Sequence, residues 1–142
     1  MRWLAVDAGE RRVGLAVCDP DERVAVPLEI VPAQAAFPAI RSIVAREYIQ
    51  GIVVGLPLTL RGDEGEAVRM ARRLGERLSR QLPIPVEYED ERHTTAEAER
   101  LTGRDRHSDD LAAAILLQQF IDRRRAAGGR TDEEDRGRDA CA

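Results

Sequence analysis

Acidic residues stand at three places in this chain where the surrounding pattern could turn a carboxylate into a working group. Asp7 closes the apolar run RWLAVD (2–7) and is followed at once by Gly9 in D-A-G-E-R-R-V-G (7–14). Asp90 and Glu91 stand just past a later apolar run, and Asp109 and Asp110 open a long apolar stretch. If the first two runs are neighbouring parallel strands, their ends lie side by side, and a helix N-terminus packed across that edge brings a third acid within reach. Convergent carboxylates repel one another and are tolerated where a cation neutralises them. With hard oxygen donors and no usable Cys or His set, Mg²⁺ or Mn²⁺ is the cation such a group suits. Each acid also has a plain structural reading. Asp7 would serve a turn, Asp90 and Glu91 the polar end of a strand, and Asp109 and Asp110 the helix dipole behind an N-capping Ser108, at about 0.3–1 kcal/mol each.

The elements that must position these acids are legible in order. Residues 2–7 and 12–18 (RVGLAVC) read as strands around a Gly-containing turn at Ala8–Arg11. A third run, 24–31 (VAVPLEIV), contains Pro27, which confines it to a sheet edge or a bulge. Residues 34–48 read as a helix with Ala39, Ile40, Ile43 and Val44 on one side and Pro38 near its start. The continuous apolar run 51–56 (GIVVGL), stopped by Pro57, reads as a strand buried on both faces. Residues 64–82 form an amphipathic helix through Ala67, Ala71, Leu74, Leu78 and Leu82. A strand at 84–89 and helices at 94–101 and 108–125 complete the pattern β-β-β-α-β-α-β-α-α. Three strands in succession predict an antiparallel meander, and the later strands need parallel crossovers. The expected fold is α/β, a mixed five-stranded sheet with helices on both faces. One domain over residues 1–127 and a disordered, charged tail over 128–142 are expected, the acidic cluster Asp132–Asp135 being solvated.

Composition narrows the class further. The 142 residues carry a net charge of -4, which argues against a general nucleic-acid coat protein but leaves room for a local grip. Lys is absent, so all 22 basic residues are Arg and any phosphate contact is made by a planar guanidinium. The longest apolar run, Leu111–Leu117, falls far short of the ~18 residues a membrane span needs. Asp7 and Glu10 break the apolar stretch a signal peptide requires, so a cytoplasmic protein is expected. Cys18 and Cys141 lack metal-ligand spacing and are expected as reduced thiols.

Four segments in register carry a more specific resemblance: D-A-G-E-R-R-V-G-L-A-V (7–17), G-L-P-L (55–58) with Gly62 and Gly65, D-E-R-H-T-T-A-E-A-E (90–99) and D-D-L-A-A-A-I-L-L (109–117). Together they resemble the signatures of the YqgF/RuvX family of ribonuclease H-like nucleases, associated with Holliday junctions and with pre-16S ribosomal RNA. The resemblance implies a ribonuclease H-like fold and Asp7, Glu91 and Asp109 as catalytic acids and metal ligands. Asp90 and Asp110 stand beside them as further candidate ligands. Gly55 and Pro57 would shape a loop with Arg61 at its tip, and Arg11, Arg12 and Arg92 flank the acids where they could orient phosphates. The chain departs from the family in a short loop, 92–108, with Arg100, Arg104, Arg106 and His107 as its basic residues, and in Thr59 and His93.

The activity so implied is metal-dependent hydrolysis of phosphodiester bonds. Two cations about 3.5–4 Å apart would be clamped by shared carboxylates, with Asp7 bridging and Glu91 and Asp109 holding one each. The favoured substrate is the 5′ end of the ribosomal RNA precursor, on the family association alone; branched DNA is the alternative, and the protein is expected as a monomer or weak homodimer. Two rivals come from other classes. One is a nucleotide-binding domain, because D-A-G-E-R-R-V-G is also similar to the phosphate loop of actin-like ATPases; the other is a non-catalytic RNA-binding module. Arg69, Arg73, Arg77 and Arg80 on the helix at 64–82 read as a solvated face before a nucleic-acid track, and Trp3 reads as packing rather than a base-stacking platform.

Overall fold

A computed structural model describes residues 1–58, 64–91 and 109–141, with the side chains of 110–128 in the last of these segments. Five strands, β1 (Trp3–Ala8), β2 (Arg12–Cys18), β3 (Ala25–Pro32), β4 (Gly51–Leu56) and β5 (Val86–Asp90), form one mixed sheet in the order β3-β2-β1-β4-β5. The meander β1-β2-β3 is antiparallel, and β4 and β5 add in parallel. α1 (Ala36–Arg46), entered through a 3₁₀ turn at Ala33–Ala35, and α2 (Glu66–Gln81) make the two parallel crossovers' helical cover, and α3 (Asp109–Cys141) crosses the other face.

Strand alternation sorts the core into two layers. Leu4, Val6, Val13, Leu15, Val17, Ile52 and Val54 pack on Phe37, Ile40 and Ile43 of α1 and Val68, Ala71 and Leu78 of α2. Trp3, Ala5, Ala16, Cys18 and Val53 pack on Ala113, Leu116, Leu117, Phe120 and Ile121 of α3. Small residues on that second sheet face let α3 lie close. Trp3 is the exception, buried and meeting Phe120 edge-on at 4.8 Å between ring centroids, with the Arg124 guanidinium over its ring. It is packing, as its sequence context indicates.

Pro27 and Pro38 act as the sequence leads one to expect, and the differences beyond them are local. β3 is an edge strand, and its pairing slips between Leu15 and Ala16, opposite the segment holding Pro27, as a proline without an N–H dictates. Pro38 falls in the first turn of α1, where no intrahelical partner exists for its missing N–H. On α2 the buried stripe passes through Val68 and Gly75 instead of Ala67, which is exposed; the helix turns its larger apolar side chain inward. β5 reaches Asp90, so that residue belongs to the strand rather than standing past it. α3 continues in helical backbone to Cys141, beyond the end near Arg125 and through the stretch expected to be a disordered tail. Opposite charges recur there four residues apart (Arg130 and Glu134, Asp132 and Arg136), a spacing that supports helix. The helix expected at 94–101 lies outside the described residues.

Phe120→Ala should cost about 3–5 kcal/mol of stability by removing the ring that seats α3 on Trp3; urea denaturation followed by circular dichroism measures it.

Candidate active site

Asp7 lies one residue from the end of β1, opposite Gly14 of β2, on the strand face that carries Trp3 and Ala5 toward α3. On β5 the same face carries Glu89, and Glu91 follows two residues on. Glu91 extends the β4–β5 ladder past the strand end, its N–H donating to the Leu56 carbonyl at 3.0 Å. Its side chain then folds back over Gly55. A Cβ built on Gly55 would stand 2.6 Å from the Glu91 carboxyl carbon and 2.9 Å from Oε1, so only glycine leaves room there. Because Val54 pairs with Val6, Gly55 is level with Asp7, and the Glu91 carboxyl donates a hydrogen bond to Asp7. Glu91 is 7% exposed. Burial foremost, then the hydrogen bond to and charge of Asp7, then the charge of Asp90, push its pKa up from 4.5 to about 10.

A cation fits this arrangement on its chemistry. Two carboxyl groups meet in a desolvated corner where one proton now separates them, and the donors are all hard oxygens. Among the described residues no three His, Cys, Asp or Glu side chains converge, so neither Asp90 nor Asp110 completes a set with the pair. Asp90 follows Glu89 in an alternating strand and faces the other side, and Asp110 is half-buried in the first turn of α3. Asp109 begins that helix, and its side chain lies outside the described residues. Phe120 meets Trp3 at the start of β1. From there the helix runs back about 15 Å to Asp110 at 1.5 Å per residue, close to the roughly 13 Å of strand from Trp3 to Asp7.

The arginines divide. Arg11 and Arg12 are exposed on the β1–β2 hairpin beside Asp7. The hairpin is tight: Gly9 N–H donates to the Arg12 carbonyl at 2.9 Å, which would stand 2.7 Å from a Cβ on Gly9. Ala33 N–H caps the Arg11 carbonyl at 2.8 Å. On α2, by contrast, Arg69 and Arg73 pair with Glu66, and Arg77 stacks on Phe37, 4.0 Å from the ring centroid. That line is an ion-paired face, not a free basic track. Arg61, Arg92, His93 and His107 lie outside the described residues. Cys18 is buried as a free thiol, accepting from Trp3 N–H at 3.2 Å.

Two site features escaped the sequence reading. Gly55 was expected to shape a loop, whereas it is the floor beneath Glu91. Glu89, 4% exposed, is held by Gln119 and Arg123 of α3. The alternation V-E-Y-E-D-E over 86–91, facing a helix with Gln and Arg four residues apart, is the signal that marks it.

A five-stranded sheet in this order, with a central-strand acid meeting a second acid beyond a parallel neighbour and a helix crossing above, is the ribonuclease H-like arrangement. The same fold occurs in T. thermophilus RuvC in complex with a Holliday junction substrate, with a TM-score of 0.54 and 18% identity over 87% of this chain and 95% of that one. The chain belongs to the RuvX family, described as Holliday junction resolvase, whose model matches residues 1–123. A relative from Chloroflexus aurantiacus, named "Putative pre-16S rRNA nuclease", is 38% identical over 141 residues, covering 92% of each chain. Relatives of the same name from Streptomyces coelicolor and an Anaeromyxobacter species are 40% and 42% identical, spanning 89% of this chain and 83% and 100% of their own.

In metal-free protein Glu91 keeps its proton in the fold across a range where the unfolded chain has lost it. Its contribution is full below about pH 4.5 and is lost as pH rises toward 10. Stability measured in EDTA from pH 5 to 9 should therefore fall with pH in the native chain. Glu91→Gln should flatten that slope, and Gly55→Ala, which drives the carboxyl off Asp7, should flatten it too at a cost of about 1–3 kcal/mol.

Proposed function

We propose that this chain is a divalent-metal-dependent nuclease that hydrolyses phosphodiester bonds in the precursor of 16S ribosomal RNA. The observation that carries the reading is the Glu91 carboxyl lodged over Gly55 against Asp7 at the end of the sheet. Family membership and relatives named for pre-16S rRNA point the same way. Asp7, Glu91 and Asp109 would hold Mg²⁺ or Mn²⁺. The cations, when bound, would polarise the scissile phosphate and lower the pKa of an attacking water.

The chain's own residues account for the rest. Asp7 at the end of β1 and Glu91 past the end of β5, two strands away across β4, would fix where positive charge must sit. Arg11 and Arg12, carried on a hairpin braced by Ala33, are exposed where a phosphate reaching Asp7 would meet bidentate donors. Arg61 and Arg92 are proposed as further phosphate contacts on their place in the sequence. The nuclease domain would span 1–127, with 128–142 apart from the chemistry. Among the described residues no helix is long and apolar enough to cross a membrane. We propose a cytoplasmic enzyme acting alone or as a weak homodimer.

Cleavage of four-way DNA junctions is the second reading, favoured by the family description and by the RuvC fold. End-labelled pre-16S leader, single-stranded RNA and a four-way junction, each with Mg²⁺, Mn²⁺ or EDTA, separate the two. The leader should be cut in a cation-dependent manner, and Asp7→Asn should slow cutting by about 10²–10³-fold, the scale of losing one electrostatic contact to developing charge. Cutting confined to the junction would transfer the assignment to a resolvase. An Asp7→Asn variant as active as the native chain would leave a binding module, and ATP hydrolysis would revive the nucleotide-binding alternative.

A further inference from the structure

Glu89 and Glu91 are the two deeply buried acids among the described residues, and Glu91 meets Asp7. The Glu89 carboxylate accepts from Gln119 Nε2 at 2.6 Å through Oε2 and from the Arg123 guanidinium through Oε1. Gln119 Nε2 also donates to the Asp90 carbonyl at 3.1 Å. That carbonyl belongs to the peptide group joining Asp90 to Glu91, whose N–H is the one bonded to Leu56 of β4. The peptide plane that launches Glu91 is thus gripped from both sides, by α3 on its oxygen and by β4 on its nitrogen.

The direction of the Gln119 amide follows from its neighbours. The Asp90 carbonyl can only accept, so Gln119 presents its NH₂ rather than its oxygen on this side, and Glu89 accepts from the same NH₂. Arg123 holds the buried Glu89 side chain in place by an ion-paired hydrogen bond. With the NH₂ so aimed, one hydrogen serves Glu89 and the other the Asp90 carbonyl.

We propose that Gln119 is a positioning residue for cation capture: through the Asp90 carbonyl it sets the peptide that lays Glu91 over Gly55 toward Asp7, with Glu89 and Arg123 orienting its amide. The inference rests on the nuclease reading above. It also makes α3 a double support, since one helix carries Asp109 and restrains Glu91, so a shift of the helix would move both acids together.

The test compares Gln119→Leu with Gln118→Leu in the full chain. Gln118 is the neighbouring residue on α3, and its amide bonds Ala25 N–H, the Arg23 carbonyl and Asp122 instead. Melting temperature and RNA cleavage are each followed against Mn²⁺ concentration. Gln119→Leu should raise the half-saturating Mn²⁺ concentration in both readouts by about 10–100-fold. It should also lower kcat at saturating Mn²⁺ and leave KM for RNA unchanged. Gln118→Leu should lower the melting temperature without moving the Mn²⁺ dependence. An equal loss of melting temperature in both variants with no change in Mn²⁺ dependence would overturn the inference and leave Gln119 a structural clamp. Should Gln119→Leu not fold, Glu89→Gln decides alone: it frees the Gln119 amide to turn, and an unchanged Mn²⁺ dependence in it sinks the proposal. A native chain indifferent to Mn²⁺ in both readouts would bring down the nuclease reading itself, a result distinct from a native response that Gln119→Leu retains.

Discussion

Two carboxyl groups brought together where water is excluded cannot both ionise unless positive charge is supplied. The meeting of Asp7 and Glu91 is that constraint in this protein, and much of the fold serves to impose it. A glycine is needed at position 55 because the Glu91 carboxyl takes the space of its side chain. A parallel β1–β4 register is needed because it sets Gly55 level with Asp7. The ladder bond from Glu91 to Leu56 is needed because it carries Glu91 one residue beyond β5.

The cost of such a site is met by surroundings that give it no freedom. The face beneath α3 is built from Ala5, Ala16, Val53 and Cys18, small enough for the helix to settle close and exclude water. The same helix is tied to the β2–β3 turn, where Glu22 accepts from Arg124 and from the Met1 ammonium. It is also tied to the end of β5 through Glu89. Held at both ends of the sheet, α3 carries Gln119 against the end of β5.

An all-arginine chain distributes its cations with the same economy. Arg72 bonds Glu64 with two nitrogens, Arg2 bonds Glu47, and Arg124 lies over Trp3 while pairing with Glu22. Planar guanidinium groups can stack and hydrogen-bond at once, so they pack where an ammonium group would demand water. Arg11 and Arg12, exposed like the α2 row, are set apart by their place on the hairpin that follows Asp7.

The order of elements, the mixed sheet and the helical cover on both faces were legible in the sequence because they follow from hydrophobic period and from turn and proline chemistry, which are local; that β4 stands between the two acid-bearing strands was not. Candidate acids could be picked out for the same reason: each stands where an apolar run ends, and the family resemblance favoured Glu91 over Asp90 and Asp109 over Asp110. Spacing alone could not separate Glu91 from Asp90, since either can stand at a strand end. In the folded chain register lays Glu91 over a glycine beside Asp7. Register likewise decided that Gly55 is a floor and that Val68 rather than Ala67 faces the core. Glu89 and Gln119 are 30 residues apart, and nothing local in either segment requires them to meet. A sequence specifies which faces are apolar and where chains turn; which polar groups face one another across those faces is fixed only when the layers close and each buried charge must find its partner.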